Sequence, residues 1–226
     1  AYEIMPSLVG SEICIRDRDQ ERALKKVPKA SAFAESALSE ARLLKSLEHP
    51  SIPRIFDFEE DNAFYYIVEE YIDGETLDSF LLHQQLISPG LFFNICEQLC
   101  NVFIYLHTQI STPIIYRDLK PEHIIVCHNK LKLIDFGVSA YVIQDGNNFN
   151  HYGNIEFSAP ECFTEDTITQ AADIYSLGQL LQYILTFTPN SFSHKFQHII
   201  QKATTSDASL RYVCLLYTSD AADDMQ

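Results

Sequence analysis

Positive charge is scarce in this chain. Lysine and arginine number 16 against 31 aspartates and glutamates, a formal charge of −15. Nucleic acids and anionic membrane surfaces reward basic patches, so this balance argues against both as partners. No apolar run is long enough to span a bilayer, and no signal-peptide pattern is present. The six cysteines, at positions 14, 96, 100, 127, 162 and 214, never fall in a CxxC spacing. Reduced thiols in a cytoplasmic protein are therefore expected, rather than a disulfide frame or a zinc site. Internal repeats and low-complexity tracts are also missing. What is present is apolar mass: 226 residues at 46% hydrophobic content can bury a substantial core, in one domain or two packed lobes.

The chain is organised around Ile114 to Val126, IIYRDLKPEHIIV. Apolar β-branched runs flank a polar stretch of Tyr116, Arg117, Asp118, Lys120, Glu122 and His123. Such a pattern predicts two small strands presenting a polar loop. Downstream come Asp135-Phe136-Gly137 and then Ser158-Ala159-Pro160-Glu161. Singly these motifs are weak. In this order they resemble the signature set of protein kinases: catalytic loop, DFG and APE.

The rest of the chain fits that resemblance from about Ala23 to Tyr212. Arg22-Ala23-Leu24-Lys25-Lys26-Val27 resembles the third strand of a kinase N-lobe. Leu38, Ala41, Leu44 and Leu47 recur at helical spacing and predict an amphipathic helix over 34–47 carrying Glu40. Strands are expected over 52–59 and 64–70, separated by the turn residues Glu60-Asp61-Asn62. Residues 71–74 resemble the hinge between lobes, followed by a helix over 76–83. Ser88 as cap and Pro89 at the first position open a long helix to about Thr108. Helices are expected over 169–186 and 195–203, and Arg211 resembles the late C-lobe arginine. The implied fold is α+β and two-lobed, with a small β-rich N-lobe over 19–72 and a mainly helical C-lobe over 73–213.

Both ends read as foreign to this pattern. Cys214 to Ser219 can be encoded by TGT CTC TTA TAC ACA TCT. The reverse complement, shifted one frame, lies within codons for Glu-Met-Cys-Ile-Arg-Asp, and the chain carries Glu12-Ile13-Cys14-Ile15-Arg16-Asp17, one codon different. These inverted ends resemble translated sequencing adapter, so 1–18 and 214–226 are read as non-native and the kinase pattern as truncated at both ends. On that reading the first two N-lobe strands and the glycine-rich loop have no counterpart, with Gly10 a lone glycine. Poor ATP binding and an exposed sheet edge are then expected of the chain.

The resemblance implies a phosphotransferase using ATP and Mg²⁺, with Mn²⁺ as the alternative metal, on a protein substrate. Asp118 would accept the substrate hydroxyl's proton, Lys120 would face the γ-phosphate, and Arg117 joins this catalytic set. Lys25, paired with Glu40, would contact the α/β-phosphates, with Lys26 as the competing choice. Ala23, Ile125, the Glu70 carbonyl and the Ile72 amide complete the nucleotide-binding set. Asp135 would ligate the metal, and so would His123, which stands where the family has asparagine. Tyr116 replaces the family's histidine as a packing element, and Asn154 replaces its threonine, with a bond to Asp118 or Lys120 expected. Leu44, Ile55, Tyr116 and Phe136 resemble the apolar column of active kinases. Glu161 should pair with Arg211, and Asp173 should accept from the backbone at Tyr116 and Arg117. The rival readings are a pseudokinase acting as a binding or scaffold module, favoured by His123, and a small-molecule phosphotransferase, disfavoured by the APE-type segment.

Overall fold

A computed structural model describes residues 3–5, 12–17, 20–32, 34–141, 154–164 and 168–212, with side chains from residue 21 onward apart from 140 and 141. The chain divides into two compact units, Ala1–Gly74 with Lys132–Gly137, and Glu75–Leu131 with Val138–Gln226. The division falls at 74/75, two residues beyond the expected 72/73. The short segment 132–137 also belongs with the first unit, although it lies far along the chain.

The first unit is built on an antiparallel sheet. Its strands are β1 (Glu3–Met5), β2 (Glu12–Asp17), β3 (Gln20–Pro28), β4 (Ile55–Glu60) and β5 (Phe64–Glu70), in the order β1-β2-β3-β5-β4. The expectation that the first two strands are missing is overturned. Residues 12–17 pair along β3 from Glu12↔Lys25 to Asp17↔Gln20, which also covers the edge expected to lie open. Strand pairing is made by backbone groups, so a short β-branched stretch such as Ile13-Cys14-Ile15 takes that edge whatever its origin. Residues 6–11, where a glycine-rich loop is sought, lie outside the described residues.

Helix α1 (Ala34–Lys45) covers one face of this sheet. Ala34, Ala37 and Ala41 recur at i, i+3 and i+7, and their small size lets the helix approach closely enough to pack on Val27 and Ile67. Ile55, Phe58 and Tyr65 flank that core. β4 begins at Ile55 rather than Ile52, because Pro53 offers no N–H to a ladder. Asp61 makes the hairpin turn: its carboxylate accepts from the amides of Ala63 and Phe64 at 2.7 Å and from the Tyr66 hydroxyl at 2.8 Å. These three donors hold its pKa below the ordinary carboxylate value.

The second unit is mainly helical. β6 (Glu75–Thr76) leads into α2 (Leu77–Gln84), whose cap is Thr76 accepting from the Ser79 amide. Ser88 caps α3 (Pro89–Ile104) in the same way, with Pro89 at its start as the sequence predicts. The helix does not run on regularly to Thr108. Its last turn widens into a π-helical stretch over Tyr105–Gln109. Phe92, Ile95, Leu99, Val102, Phe103 and Leu106 form its buried stripe, each side chain contributing about 1.5–3 kcal/mol on burial.

Short strands follow. β7 (Ile114–Ile115) pairs with β10 (Ala140–Tyr141), while β8 (Ile124–Cys127) pairs with β6 and neighbours β9 (Lys130–Leu133). The two strands flanking the polar loop therefore pair with different partners. His128 and Asn129 both have positive φ, 47° and 63°, the geometry of a two-residue hairpin turn between β8 and β9. Gln98 fastens α3 to that turn, donating to the Asn129 carbonyl at 2.9 Å and accepting from the Leu131 amide at 2.9 Å.

Helices α4 (Ala171–Leu185), α5 (Asn190–Ser193) and α6 (Gln197–Ala203) complete the unit. Gly178 lets α4 and α6 touch: a Cβ there would lie 2.9 Å from the Ala203 Cβ and 2.8 Å from the Thr204 methyl. Among the described residues no helix is long and apolar enough to cross a membrane.

Candidate active site

In the first unit, strand alternation decides between the two candidate lysines. Ala23, Lys25 and Val27 lie on one face of β3, with Ala23 and Val27 buried. Lys26 therefore points to the other face, its ammonium 4.0 Å from the Phe64 ring centroid. Lys25 reaches α1 instead, its Nζ 3.1 Å from Glu40 Oε2. The other oxygen, Glu40 Oε1, accepts from the Phe136 amide at 3.0 Å. One carboxylate thus joins β3, α1 and the Asp135-Phe136-Gly137 segment. Ser36 adds a second tie, its hydroxyl donating to the Gly137 carbonyl at 3.2 Å. Sequence reasoning missed Ser36, since serine on a helix face carries no signal of its own.

Asp135 has φ 61°, and its Oδ1 accepts from the Gly137 amide at 3.3 Å. The buried Phe136 ring anchors the turn from behind. Glu70 ends β5, with the Ile72 amide two residues beyond, outside the ladder. Of the four residues expected in an apolar column, Leu44, Ile55 and Phe136 fall in the first unit and Tyr116 in the second.

In the second unit the polar loop is held by one buried carboxylate. Asp173 on α4 accepts from the amides of Tyr116 and Arg117 at 2.9 Å each, and pairs with His107 Nε2 at 2.8 Å. A carboxylate only accepts, so His107 donates through Nε2. Nothing in the sequence around His107 marks it, because it lies in the π-helical turn that helical periodicity does not foresee. The Tyr116 ring is fully buried and meets Phe103 edge-on at 6.1 Å, a packing role in line with the histidine it replaces.

Arg117 has φ 76° and is buried, donating through Nη1 to the Val138 carbonyl at 3.3 Å. Burial pushes its guanidinium pKa down, against the opposing charge of Asp173. Asp118 receives the Lys120 ammonium on Oδ2 at 3.2 Å. His123 closes the loop: its Nδ1 lies 3.0 Å from the Asp118 carbonyl and 3.4 Å from Asp118 Oδ2. The carbonyl can only accept, so Nδ1 carries a hydrogen. Ile125, half-buried on β8, is paired with Thr76.

Asn154 does not take the partner expected of it. Its Oδ1 accepts from the Glu156 amide at 2.9 Å, a local turn that a short amide side chain closes on its own backbone. Past it, Glu161 and Arg211 form the expected pair, at 2.5 Å through Nη1 and 2.8 Å through Nη2. Arg211 also donates to the carbonyls of Thr205, Ala171 and Ser206, so all five of its N–H groups are used. Cys162 beside this pair is buried, and desolvation with the Glu161 charge raises its thiol to about 11.

The sequence is similar to those of known proteins. The protein kinase domain model matches residues 10–223. Serine/threonine-protein kinase PrkC of Bacillus subtilis is 30% identical over 218 residues, covering 83% of this chain and 32% of that protein. Calcium-dependent protein kinase 4 of Plasmodium falciparum is 30% identical over 212 residues, covering 89% and 38%. Serine/threonine-protein kinase PknB of Mycobacterium tuberculosis is 30% identical over 174 residues, covering 71% and 27%. The chain therefore spans about a third of the length of the curated relatives it matches. With the family model covering nearly its whole length, the chain belongs to the protein kinase domain family, an α+β fold with a strand-rich N-terminal and a helical C-terminal part.

Proposed function

We propose that this domain transfers the γ-phosphate of ATP to serine or threonine hydroxyls of a protein. The observation that carries the reading is the Glu40 carboxylate, which holds the Lys25 ammonium and the Phe136 amide together. Phosphoryl transfer asks a protein for positioning and for charge around the transferring group. Lys25 presents an ammonium to the α/β-phosphates, its position set by Glu40. The Glu70 carbonyl and Ile72 amide bind the adenine edge, with Ala23 and Ile125 contributing apolar surface. The substrate oxygen attacks the γ-phosphorus as the bond to the β-bridging oxygen breaks, and Asp118 takes the hydroxyl proton. ADP leaves with the bridging oxygen. Lys120, already on the Asp118 carboxylate, offsets charge on the γ-phosphate.

Donor chemistry supports a divalent cation. Asp135 offers hard carboxylate oxygens suited to Mg²⁺, whereas His123 offers only the Nε2 nitrogen, which Mn²⁺ accepts more readily. Asp135 and His123 would each offer a ligand to such a cation, which would supply neutralising charge at the β- and γ-phosphates. His123 is the observation that favours the second reading, a pseudokinase that binds without turnover. Incubating the whole protein with labelled ATP and a generic protein substrate tests the choice. Transfer that disappears in Asp118→Asn supports the kinase; no transfer with either Mg²⁺ or Mn²⁺ supports the pseudokinase. Residues 1–18 and 214–226 remain on our reading adapter-derived, and ordinary, non-adapter codons in the nucleotide record would reject that.

A further inference from the structure

We propose that Lys132 is a positioning residue for the nucleotide-binding backbone at 70–72, a role resting on the reading of Glu70 and Ile72 given above. Glu70 is the last residue of β5. Beyond it the ladder stops, so the direction of the next peptides depends on how Glu70 itself is held. Its amide donates to the Arg54 carbonyl at 2.9 Å, and its Oε2 accepts from the Arg54 amide at 3.3 Å. The main hold is Lys132, whose Nζ lies 2.6 Å from Oε1 and 2.7 Å from Oε2. The ammonium meets both oxygens at once and so fixes the carboxylate plane as well as its distance.

Lys132 is itself firmly placed. On β9 its neighbour Leu133 donates its amide to the Ser51 carbonyl at 2.8 Å. Ser51 belongs to the turn that follows α1, where its amide donates to His49 Nδ1 at 3.1 Å. Burial and the nearby Lys132 charge both lower the His49 pKa, keeping that ring neutral and able to accept. The exit of β5 is thus tied through Lys132 to the turn after the Glu40 helix. The pair is also better shielded than an ordinary surface bridge: Lys132 and Glu70 side chains are 15% and 29% exposed, against 30% and 56% for Lys29 and Glu60. Lys132 contacts the nucleotide nowhere in this scheme. It acts by pre-organising the two backbone groups that read the adenine edge, which lowers the ordering cost of binding.

Two measurements on the same chain test this: amide hydrogen exchange over 70–74 without nucleotide, and titration with ATP and Mn²⁺. Lys132→Met is expected to speed exchange over 70–74 and to weaken ATP binding about fivefold, with the loss falling on KM for ATP more than on kcat. Lys132→Arg should restore both to within about twofold, because it returns a cation to the carboxylate. Lys130→Met, an exposed neighbour, should change neither. Glu70→Gln supplies the same test should Lys132→Met fail to fold. Exchange over 70–74 that stays at the wild-type rate overturns the inference even if ATP binds. Faster exchange in a chain whose wild type takes up no ATP supports the hold of Lys132 on Glu70 and rejects the nucleotide reading instead.

Discussion

Each unit has a carboxylate–cation pair, and the two differ in kind. Lys25 and Glu40 meet at a single contact of 3.1 Å, with side chains 29% and 12% exposed. Glu161 and Arg211 meet at two, and their side chains are 6% and 0% exposed. Arg211 has no hydrogen left to offer, whereas the Lys25 ammonium remains within reach of water. A sealed pair can only brace. A half-open pair can meet a third charge, and on our reading that charge is a phosphate. On that reading one family pattern holds a bracing pair and a working pair, although both look equally polar in sequence.

Arg211→Ala should break the braced side most severely. It leaves the Glu161 carboxylate buried without its cation, a loss of about 3–5 kcal/mol. Thermal unfolding should show it directly, and adding Glu161→Leu should recover part of the loss. Unchanged melting would erase the distinction drawn above. Lys25→Met tests the other side. Stability should move by less than about 1 kcal/mol, as for other partly exposed pairs, while phosphate transfer should fall roughly a hundredfold or more. Large unfolding with retained transfer would reverse the roles of the pairs.

Gly178→Ala asks whether the rigidity around Arg211 extends along α4. Its new methyl would meet Ala203 and Thr204 below 3.0 Å, and overpacking of this kind costs about 1–3 kcal/mol in urea unfolding. His123→Asn sharpens the working side by returning an oxygen ligand. The Mg²⁺-supported rate should rise a few-fold, to roughly the Mn²⁺-supported rate, and equal rates with both metals before the change would reject the argument. The smallest effect concerns Asp61. Its pKa is lowered in the fold by the Ala63 and Phe64 amides, so its contribution is present above the unfolded carboxylate value of about 3.9 and fades as pH falls through the lower folded value. The difference in urea midpoint between wild type and Asp61→Asn should therefore shrink when measured below about pH 4.

Much of this architecture could be read from residue order. Ser88-Pro89 announced α3, and the caps, hairpin turn and amphipathic stripe of α1 each have a local cause written in adjacent residues. Lys25 over Lys26 was favoured in sequence only by resemblance, and the burial of Ala23 and Val27 adds strand alternation as the physical reason. What escaped reading depends on distant partners. The attachment of 132–137 to the first unit is set by backbone bonds such as Leu133 to Ser51, which leave no mark on either residue. His107 was hidden by the π-helical turn that carries it to Asp173. Asn154 was misjudged because its amide found a backbone partner two residues away. The strands at 3–5 and 12–17 were discounted on grounds of origin, a question on which backbone pairing is silent.

The positive φ angles of Arg117 and Asp135 set a limit on how this domain can be improved. Residues with side chains are disfavoured there, Arg more than Asp, and such positions cost on the order of 1–3 kcal/mol each. Glycine would relieve that strain, so a search for thermostable variants would be drawn to these two positions early. Each gain would delete a side chain on which the proposed chemistry depends. Selection for robustness alone would therefore drive this chain toward a hardier, silent relative, while selection for turnover would keep it strained at 117 and 135.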